Sequence, residues 1–266
     1  MRISALICCV SLLAACGSRR EPDFQTSTVE GEQGGYVQPS APAPEPPPAA
    51  PPTPPPAAPP QASPPAETPP AAPLVELDPR LLDPSLSSEQ APATYTVELA
   101  TTKGPILIDV TRAWAPLGAD RFYNLVKIGY FQDVAFFRVV AGFMAQTGIH
   151  IDPRVNERWR RASFADDPVT QHNTRGMVTF ATSGANSRTT QFFINLVDNS
   201  NLDAMGFSPF GRVRDMRTVD ALYSGYGEGA PQGRGPEQMR MQLEGTAYLR
   251  TAFPDMDWIR SARIMP

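Results

Sequence analysis

Two short stretches of the chain carry side chains that could do chemistry together. They are residues 136–148 and residues 190–195. Between them they supply one charged donor, two amides and three apolar side chains: Arg138, Gln146, Gln191, Phe143, Met144 and Phe193. An apolar slot beside a guanidinium and two amides suits a proline ring and the carbonyl group next to it. The two stretches therefore predict a site for proline-containing chain segments.

Arg138 is the candidate donor, because a guanidinium stays charged and carries five N–H groups in a planar fork. Rotation about an Xaa-Pro bond has a barrier of about 18–20 kcal/mol, set by amide resonance. Twisting the bond returns the lone pair to the proline nitrogen, so a donor aimed at that nitrogen binds the twisted state best. The alternative is that Arg138 lies on the exposed face of an alternating strand.

The two stretches resemble the active-site strands of the cyclophilin family of peptidyl-prolyl isomerases, and the likeness covers about residues 94–264. The resemblance implies a catalytic set of Arg138, Phe143 and Gln146. It implies that the proline ring and the neighbouring backbone are held by further residues, namely Met144, Ala181, Thr182, Ser183, Gln191, Phe193, Leu202 and Phe207. The expected activity is cis–trans isomerisation of Xaa-Pro bonds without a cofactor.

Three positions depart from the family pattern. Asn201 stands where many cyclophilins have tryptophan, Phe207 where histidine or tyrosine is common, and Thr182 where asparagine is common. By the resemblance, the tryptophan position mainly serves cyclosporin binding. We therefore expect weak cyclosporin affinity with isomerase activity retained, and an altered substrate preference at Thr182.

The pattern along residues 94–266 predicts many short strands and two helices. The predicted helices are residues 114–129 and 217–223, and the predicted strands are residues 95–99, 105–110, 134–139, 143–146, 177–182, 191–196, 210–213 and 258–264. Such a pattern is typical of an antiparallel barrel. Together with the resemblance it predicts a mainly β fold, a closed eight-stranded cyclophilin-like barrel capped by two helices.

Two further segments, residues 225–253 and 154–161, lie outside the motif stretches. Residues 225–253 form a longer insertion than a compact barrel needs before its last strand, which favours a flap or a partner surface. Four arginines surround Trp159 in residues 154–161, and they favour a solvated loop over a surface for acidic lipids or partners.

The N-terminus predicts export. Residues 1–15 combine a positive start with an apolar run, as signal peptides do, and Leu-Ala-Ala-Cys at residues 13–16 resembles a bacterial lipobox. This resemblance implies cleavage before Cys16 and lipidation (palmitate) of that cysteine. The alternative is an ordinary secretory signal that yields a soluble protein. A lipid-anchored periplasmic location is expected, and Gly17 favours the outer over the inner membrane.

Most of the 31 prolines lie in residues 39–92, and residues 39–73 contain almost no apolar side chain larger than alanine. Such a segment predicts a disordered, extended linker. The expected organisation is a signal peptide at residues 1–15, a lipidated N-terminus with a Pro/Ala-rich linker at residues 16–93, and the isomerase domain at residues 94–266. Residues 74–93 could pack on the domain or stay loose.

Composition also excludes several classes of function. A net charge of −4 without a basic face argues against nucleic-acid binding. Two histidines without nearby cysteines predict no metal site. The expected partners are Xaa-Pro-containing polypeptides and the membrane, and the domain is expected to be a monomer. Two alternatives stay open: a non-catalytic lipoprotein module that binds Pro-containing segments of envelope proteins, and a structural envelope protein tethered to peptidoglycan.

Overall fold

The structure is a computed structural model, and it describes residues 77–266. The predicted signal peptide, Cys16 and the linker up to residue 76 lie outside the described residues. The strands are β1 Thr94–Thr101, β2 Gly104–Thr111, β3 Val134–Ala135, β4 Arg138–Val140, β5 Met144–Thr147, β6 Met177–Phe180, β7 Phe192–Asn195, β8 Pro209–Val213 and β9 Trp258–Ile264. The α-helices are α1 Pro79–Leu82, α2 Pro116–Lys127, α3 Pro153–Trp159, α4 Arg217–Asp220, α5 Gln238–Glu244 and α6 Thr246–Ala252.

These strands form one antiparallel sheet in the order β3-β9-β1-β2-β8-β6-β7-β5-β4, curled into a half-barrel. The mainly β antiparallel fold is confirmed, but the closed eight-stranded barrel is wrong. The predicted strand at residues 134–139 is two strands, β3 and β4, which are the two edges of the sheet. Phe136 and Phe137 connect β3 to β4. Their rings are buried in two different apolar clusters.

The predicted first hairpin is confirmed. β1 and β2 pair along their full length, from Thr94 opposite Thr111 to Thr101 opposite Gly104. Alternate residues of β1 are buried, as expected for a strand with one face on the core.

Helix α2 fills the main core. Pro116 occupies its first turn, where a missing N–H costs nothing, and Phe122 is fully buried. The Phe122 ring centroid lies 5.1–5.7 Å from those of three other core phenylalanines, Phe131, Phe192 and Phe210. The prediction of a helix over residues 114–129 is confirmed with shorter ends, and the second predicted helix is the single turn α4.

Residues 77–93 pack on the folded domain, which is one of the two arrangements that the sequence left open for residues 74–93. Leu81 of α1 is 6% exposed, and its carbonyl accepts a hydrogen bond from the indole N–H of Trp159 at 2.9 Å. The side chain of Asn124 donates to the carbonyl of Glu89 at 2.7 Å. The sequence signal was hidden because one buried leucine and backbone contacts, rather than a repeating pattern, hold this segment.

The arginine-rich stretch and the late insertion are also more ordered than predicted. The expected solvated loop around Trp159 contains α3, and Trp159 itself is 1% exposed. Residues 225–253 contain both α5 and α6, and three of their side chains belong to a second apolar cluster. That cluster comprises Ala135, Phe137, Ile149, Met241, Leu249, Phe253, Met256 and Trp258. The insertion is therefore built into the domain.

Within residues 77–266, no helix is both long and apolar enough to cross a membrane.

We predict that Leu81→Ala lowers the free energy of unfolding by about 2–3 kcal/mol, because it empties a buried site under the N-terminal segment. Leu82→Ala is the matched control: the neighbouring side chain is 38% exposed, and its loss should cost less than about 0.5 kcal/mol. Urea unfolding of both variants measures the difference. Equal effects would show that residues 77–93 do not pack on the domain in solution.

His150 is a buried neutral base next to the β5 end. Its Nδ1 accepts a hydrogen bond from the backbone N–H of Asp152 at 2.9 Å, and its ring centroid lies 5.0 Å from that of Tyr130. Burial lowers the pKa of His150 to about 4, and the nearby Asp152 only partly opposes this. Since the unfolded chain binds a proton near pH 6.5, protonation favours unfolding.

We predict that the free energy of unfolding falls as the pH drops from about 6.5 to about 4, by as much as about 3 kcal/mol from His150 alone. His150→Gln should remove most of this acid dependence, whereas His172→Gln, at a side chain that is 81% exposed, should leave it in place. Denaturant unfolding at a series of pH values measures it. An unchanged acid profile in His150→Gln would contradict the assignment.

Candidate active site

The strand register brings the predicted polar side chains to one face of the sheet. Arg138 on β4 lies opposite Gln146 on β5, and Gln146 lies opposite Phe193 on β7. Directly opposed residues of neighbouring strands point to the same side, as do residues two apart, such as Met144 and Gln146. Gln191 precedes Phe193 by two residues and follows the same rule.

Arg138, Gln146 and Gln191 form a hydrogen-bonded chain, which we call the polar triad. Arg138 Nη1 donates to Gln146 Oε1 at 2.9 Å, and Gln146 Nε2 donates to Gln191 Oε1 at 2.9 Å. Gln146 thus accepts from the guanidinium with its oxygen and donates with its nitrogen. This arrangement fixes the orientation of the Gln146 amide and holds one end of the guanidinium.

A separate apolar cluster lies beside the triad. Met144, Phe193 and Leu202 are 1%, 5% and 6% exposed, and they are walled by partly buried side chains, namely Val140, Phe143, Ala181 and Phe207. The Phe193 and Phe207 rings meet edge to face, with centroids 5.7 Å apart. The structure therefore brings together the side chains predicted to hold a proline ring, in a cluster distinct from the main core.

A 3-10 helix at Ser200–Met205 delivers Leu202 to the cluster. Gly206 ends this helix in the left-handed region at φ 82°, after which Phe207 returns to Phe193. The side chain of Asn199 donates to the carbonyl of Phe143 at 2.9 Å, so this turn is tied to the loop after β4. Two segments distant in sequence are thereby fixed on either side of the apolar cluster.

A groove with a cavity volume of about 470 Å³ runs alongside, and its lining includes Ala181, Thr182, Ser183, Gln146 and Gln191. The predicted groove residues after β6 therefore do line a groove next to the triad. The Thr182 hydroxyl lies 2.9 Å from Ser187 Oγ and also bonds the carbonyl of Gly184. Its hydroxyl is engaged within its own loop.

Gly148 fixes the distance between β5 and Gln191. Its φ is 105°, and an added Cβ would lie 2.7 Å from the Gln191 Cα and closer still to the Thr190 carbonyl oxygen. A side chain at this position would push the Thr190–Gln191 backbone away from β5. Glycine is required here for the triad to form.

Sequence reasoning missed two side chains, both from the late insertion. Glu228 places its carboxylate on Arg138, with Oε2 accepting from Nη2 at 2.6 Å and Oε1 at 2.6 Å from Nε. Gln238 Nε2 donates to Gln191 Oε1 at 2.6 Å. Nothing in the spacing links Glu228 to an arginine ninety residues earlier in the chain. A lone acid in a glycine-rich turn reads as an ordinary loop.

The electrostatics of the site centre on this ion pair. The Arg138 guanidinium, with a smaller contribution from the Gly229 N–H, holds the pKa of Glu228 below its ordinary value despite partial burial. The Arg138 Cζ atom lies 5.8 Å from the centroid of the Phe143 ring. The guanidinium is therefore bounded by Gln146, Glu228 and the edge of the apolar cluster.

Asn201 is exposed and lies outside the apolar cluster, so the position that departs most from the family pattern contributes no wall to it. Across residues 77–266, no three His, Cys, Asp or Glu side chains group as metal ligands.

A model of the family described as cyclophilin type peptidyl-prolyl cis-trans isomerase matches residues 96–241. The chain belongs to this family. It is 35% identical over 144 residues to a peptidyl-prolyl cis-trans isomerase of Acinetobacter baylyi, which covers 52% of this chain and 76% of that protein. It is also 35% identical to the mouse peptidyl-prolyl cis-trans isomerase-like 3 over 135 residues, covering 48% and 81%.

Among solved structures, the chain resembles a cyclophilin type peptidyl-prolyl cis-trans isomerase of Cryptosporidium parvum. The identity is 20% and the TM-score 0.48, over 65% of this chain and 98% of that one. The match of the family model confirms, at the level of the family, the cyclophilin resemblance expected from residues 136–148 and 190–195. The chain is a cyclophilin-type peptidyl-prolyl isomerase, while the roles of its individual residues stay predictions.

Proposed function

We propose that this cyclophilin accelerates cis–trans exchange of Xaa-Pro bonds in exported or envelope proteins, while a lipid on Cys16 holds it at the membrane. The observation that supports the catalytic part is the polar triad standing against the apolar cluster on one face of the sheet. The cluster suits the proline ring, and Arg138 suits the carbonyl and nitrogen beside it. Gln146 and Gln191 suit the peptide backbone.

The triad can favour the twisted amide over both planar isomers. Loss of resonance makes the proline nitrogen a better acceptor, so an N–H of Arg138 would bind it more strongly in the transition state. Of the five guanidinium N–H groups, Gln146 takes one and Glu228 faces two. The other two are left for a substrate.

One charged hydrogen bond contributes about 1.5–3 kcal/mol, and each tenfold in rate needs about 1.4 kcal/mol. Arg138 alone would therefore raise the rate about ten- to a hundredfold. The remainder would come from the apolar cluster, where exclusion of water favours the less polar, twisted amide.

The proposed location rests on the sequence of the first sixteen residues. An apolar run followed by a small-residue motif and Cys16 is typical of lipoproteins, and two or more acyl chains anchor a protein stably. The Pro-rich stretch after it suits a tether, since polyproline II extends about 3.1 Å per residue. Clients near the membrane would then be within reach of the domain.

We predict that the fragment from Leu74 onwards accelerates exchange in an Ala-Pro-Phe peptide, and that Arg138→Ala lowers kcat/KM about ten- to a hundredfold. NMR exchange spectroscopy measures the rate directly. The matched control is Arg212→Ala, at an exposed β8 arginine, which should keep full activity. A folded wild-type domain that binds the peptide without accelerating exchange would favour a Pro-segment binding module instead.

We predict that Cys16→Ser moves the protein from the membrane fraction to the soluble fraction of lysed cells, because the acyl chains would be lost. Cys9→Ser, a change of the same type within the predicted signal peptide, should leave the protein in the membrane fraction. Density-gradient separation of the wild type then distinguishes the outer from the inner membrane. Retention of Cys16→Ser in the membrane would contradict lipid anchoring.

A further inference from the structure

Residues 225–238, which we call the strap, reach the polar triad at both ends. Glu228 holds the Nε and Nη2 edge of Arg138, and Gln238 donates to Gln191. Gly227 also forms an antiparallel bridge with Val139, the residue after Arg138. The strap therefore runs along β4 and contacts the first and last members of the triad.

The strap fixes the Glu228 carboxylate by its own backbone contacts. The Gly229 N–H donates to Glu228 Oε1 at 2.9 Å, and the Gly235 N–H donates to the Glu228 carbonyl at 2.8 Å. Gly233 and Gly235 pass so close to that carbonyl that an added Cβ would lie within 2.8 Å of Glu228 atoms. A tight glycine turn thus presents the carboxylate to Arg138.

We infer that Glu228 is a positioning residue for the isomerase: it holds the guanidinium of Arg138 in one orientation, so that its free N–H donors are fixed before substrate binds. This inference rests on the proposed function of Arg138. Nη1 donates to Gln146 and Nη2 donates to Glu228, whose second carboxylate oxygen lies 2.6 Å from Nε without a hydrogen bond, so the guanidinium cannot turn without breaking contacts on both sides. A donor fixed in advance loses less freedom when the twisted amide forms.

The position of the carboxylate distinguishes this role from self-inhibition. Glu228 lines a cavity of about 190 Å³ between Arg138 and the strap, together with Phe137, Pro236 and Gln238. It lines neither the apolar cluster nor the 470 Å³ groove beside the triad. The carboxylate therefore supports the guanidinium without filling the space expected to take the proline ring or the preceding residue.

Substitution of Glu228 in the full chain, purified in detergent, tests the inference. We expect Glu228→Ala to lower kcat/KM at least about tenfold, with the loss in kcat and little change in KM. Glu228→Gln keeps the shape of the side chain and an acceptor oxygen, so its loss of kcat/KM should be smaller than that of Glu228→Ala. Glu237→Gln is the matched control, because it removes the same negative charge from the strap at a side chain that is exposed.

Two further readouts separate positioning from a general structural role. In an Arg138→Ala background, adding Glu228→Ala should cause no further loss of kcat/KM, because Glu228 is proposed to act only through Arg138. The Arg138 Nη2–H signal in the NMR spectrum should be protected from exchange in the wild type, where it donates to Glu228, and lose that protection in Glu228→Ala. If Glu228→Ala unfolds, the same comparisons with Glu228→Gln decide.

The outcomes are distinct. Higher activity in the Glu228 variants would mean that the carboxylate competes with substrate, and unchanged activity would mean that it positions nothing; either overturns the inference. If instead the wild type shows no isomerase activity, the proposed function itself fails. An active wild type with fully active Glu228 variants would leave that function standing and remove only this inference.

Discussion

The site depends on one constraint, the register of three neighbouring strands. Gln146 on β5 stands opposite Arg138 on β4 and opposite Phe193 on β7, so the donor, the amide and the aromatic wall share one face. Because strand side chains alternate, a slip of one residue would send Gln146 to the other face and separate it from both partners. Gly148 secures the same register, since no other residue lets the Gln191 backbone approach β5 so closely. The arrangement of these side chains is thus a consequence of sheet pairing.

Placing a carboxylate on the guanidinium that we propose as the donor has two opposing effects. The negative charge weakens the field that a substrate would feel, yet the same contact fixes the donor before substrate arrives. With side chains 28% and 38% exposed, the pair is partly screened by water, so its direct contribution to folding stability is modest. We infer that the pair serves mainly to fix the orientation of the Arg138 guanidinium. The insertion that carries Glu228 is itself anchored by Met241, Leu249 and Phe253, which makes the strap a fixed part of the domain.

Local patterns in the sequence predicted the hairpin, the main helix and most strands, because alternation and helical spacing decide those elements. The members of the apolar cluster and of the triad came from the two motif stretches and the family resemblance, whereas the hydrogen bonds that join the triad were not predicted. The split of residues 134–139 was missed, since two adjacent phenylalanines continue a strand pattern while their rings enter different clusters. The choice between a packed and a loose arrangement of residues 77–93 was left open, and the contact of Glu228 with Arg138 was missed, because both rest on contacts between distant segments. Such contacts leave no periodic trace in the sequence.

The central claim is that a proline ring enters the apolar cluster while Arg138 faces the adjacent amide. A crystal structure of the domain with a bound Xaa-Pro peptide tests it most directly. We expect the ring to lie against Met144, Phe193 and Leu202, with an Arg138 N–H within about 3.2 Å of the prolyl carbonyl or nitrogen and Glu228 still accepting from Nη2. A peptide bound elsewhere, or a ring in the cluster with Arg138 turned away from the amide, would contradict it.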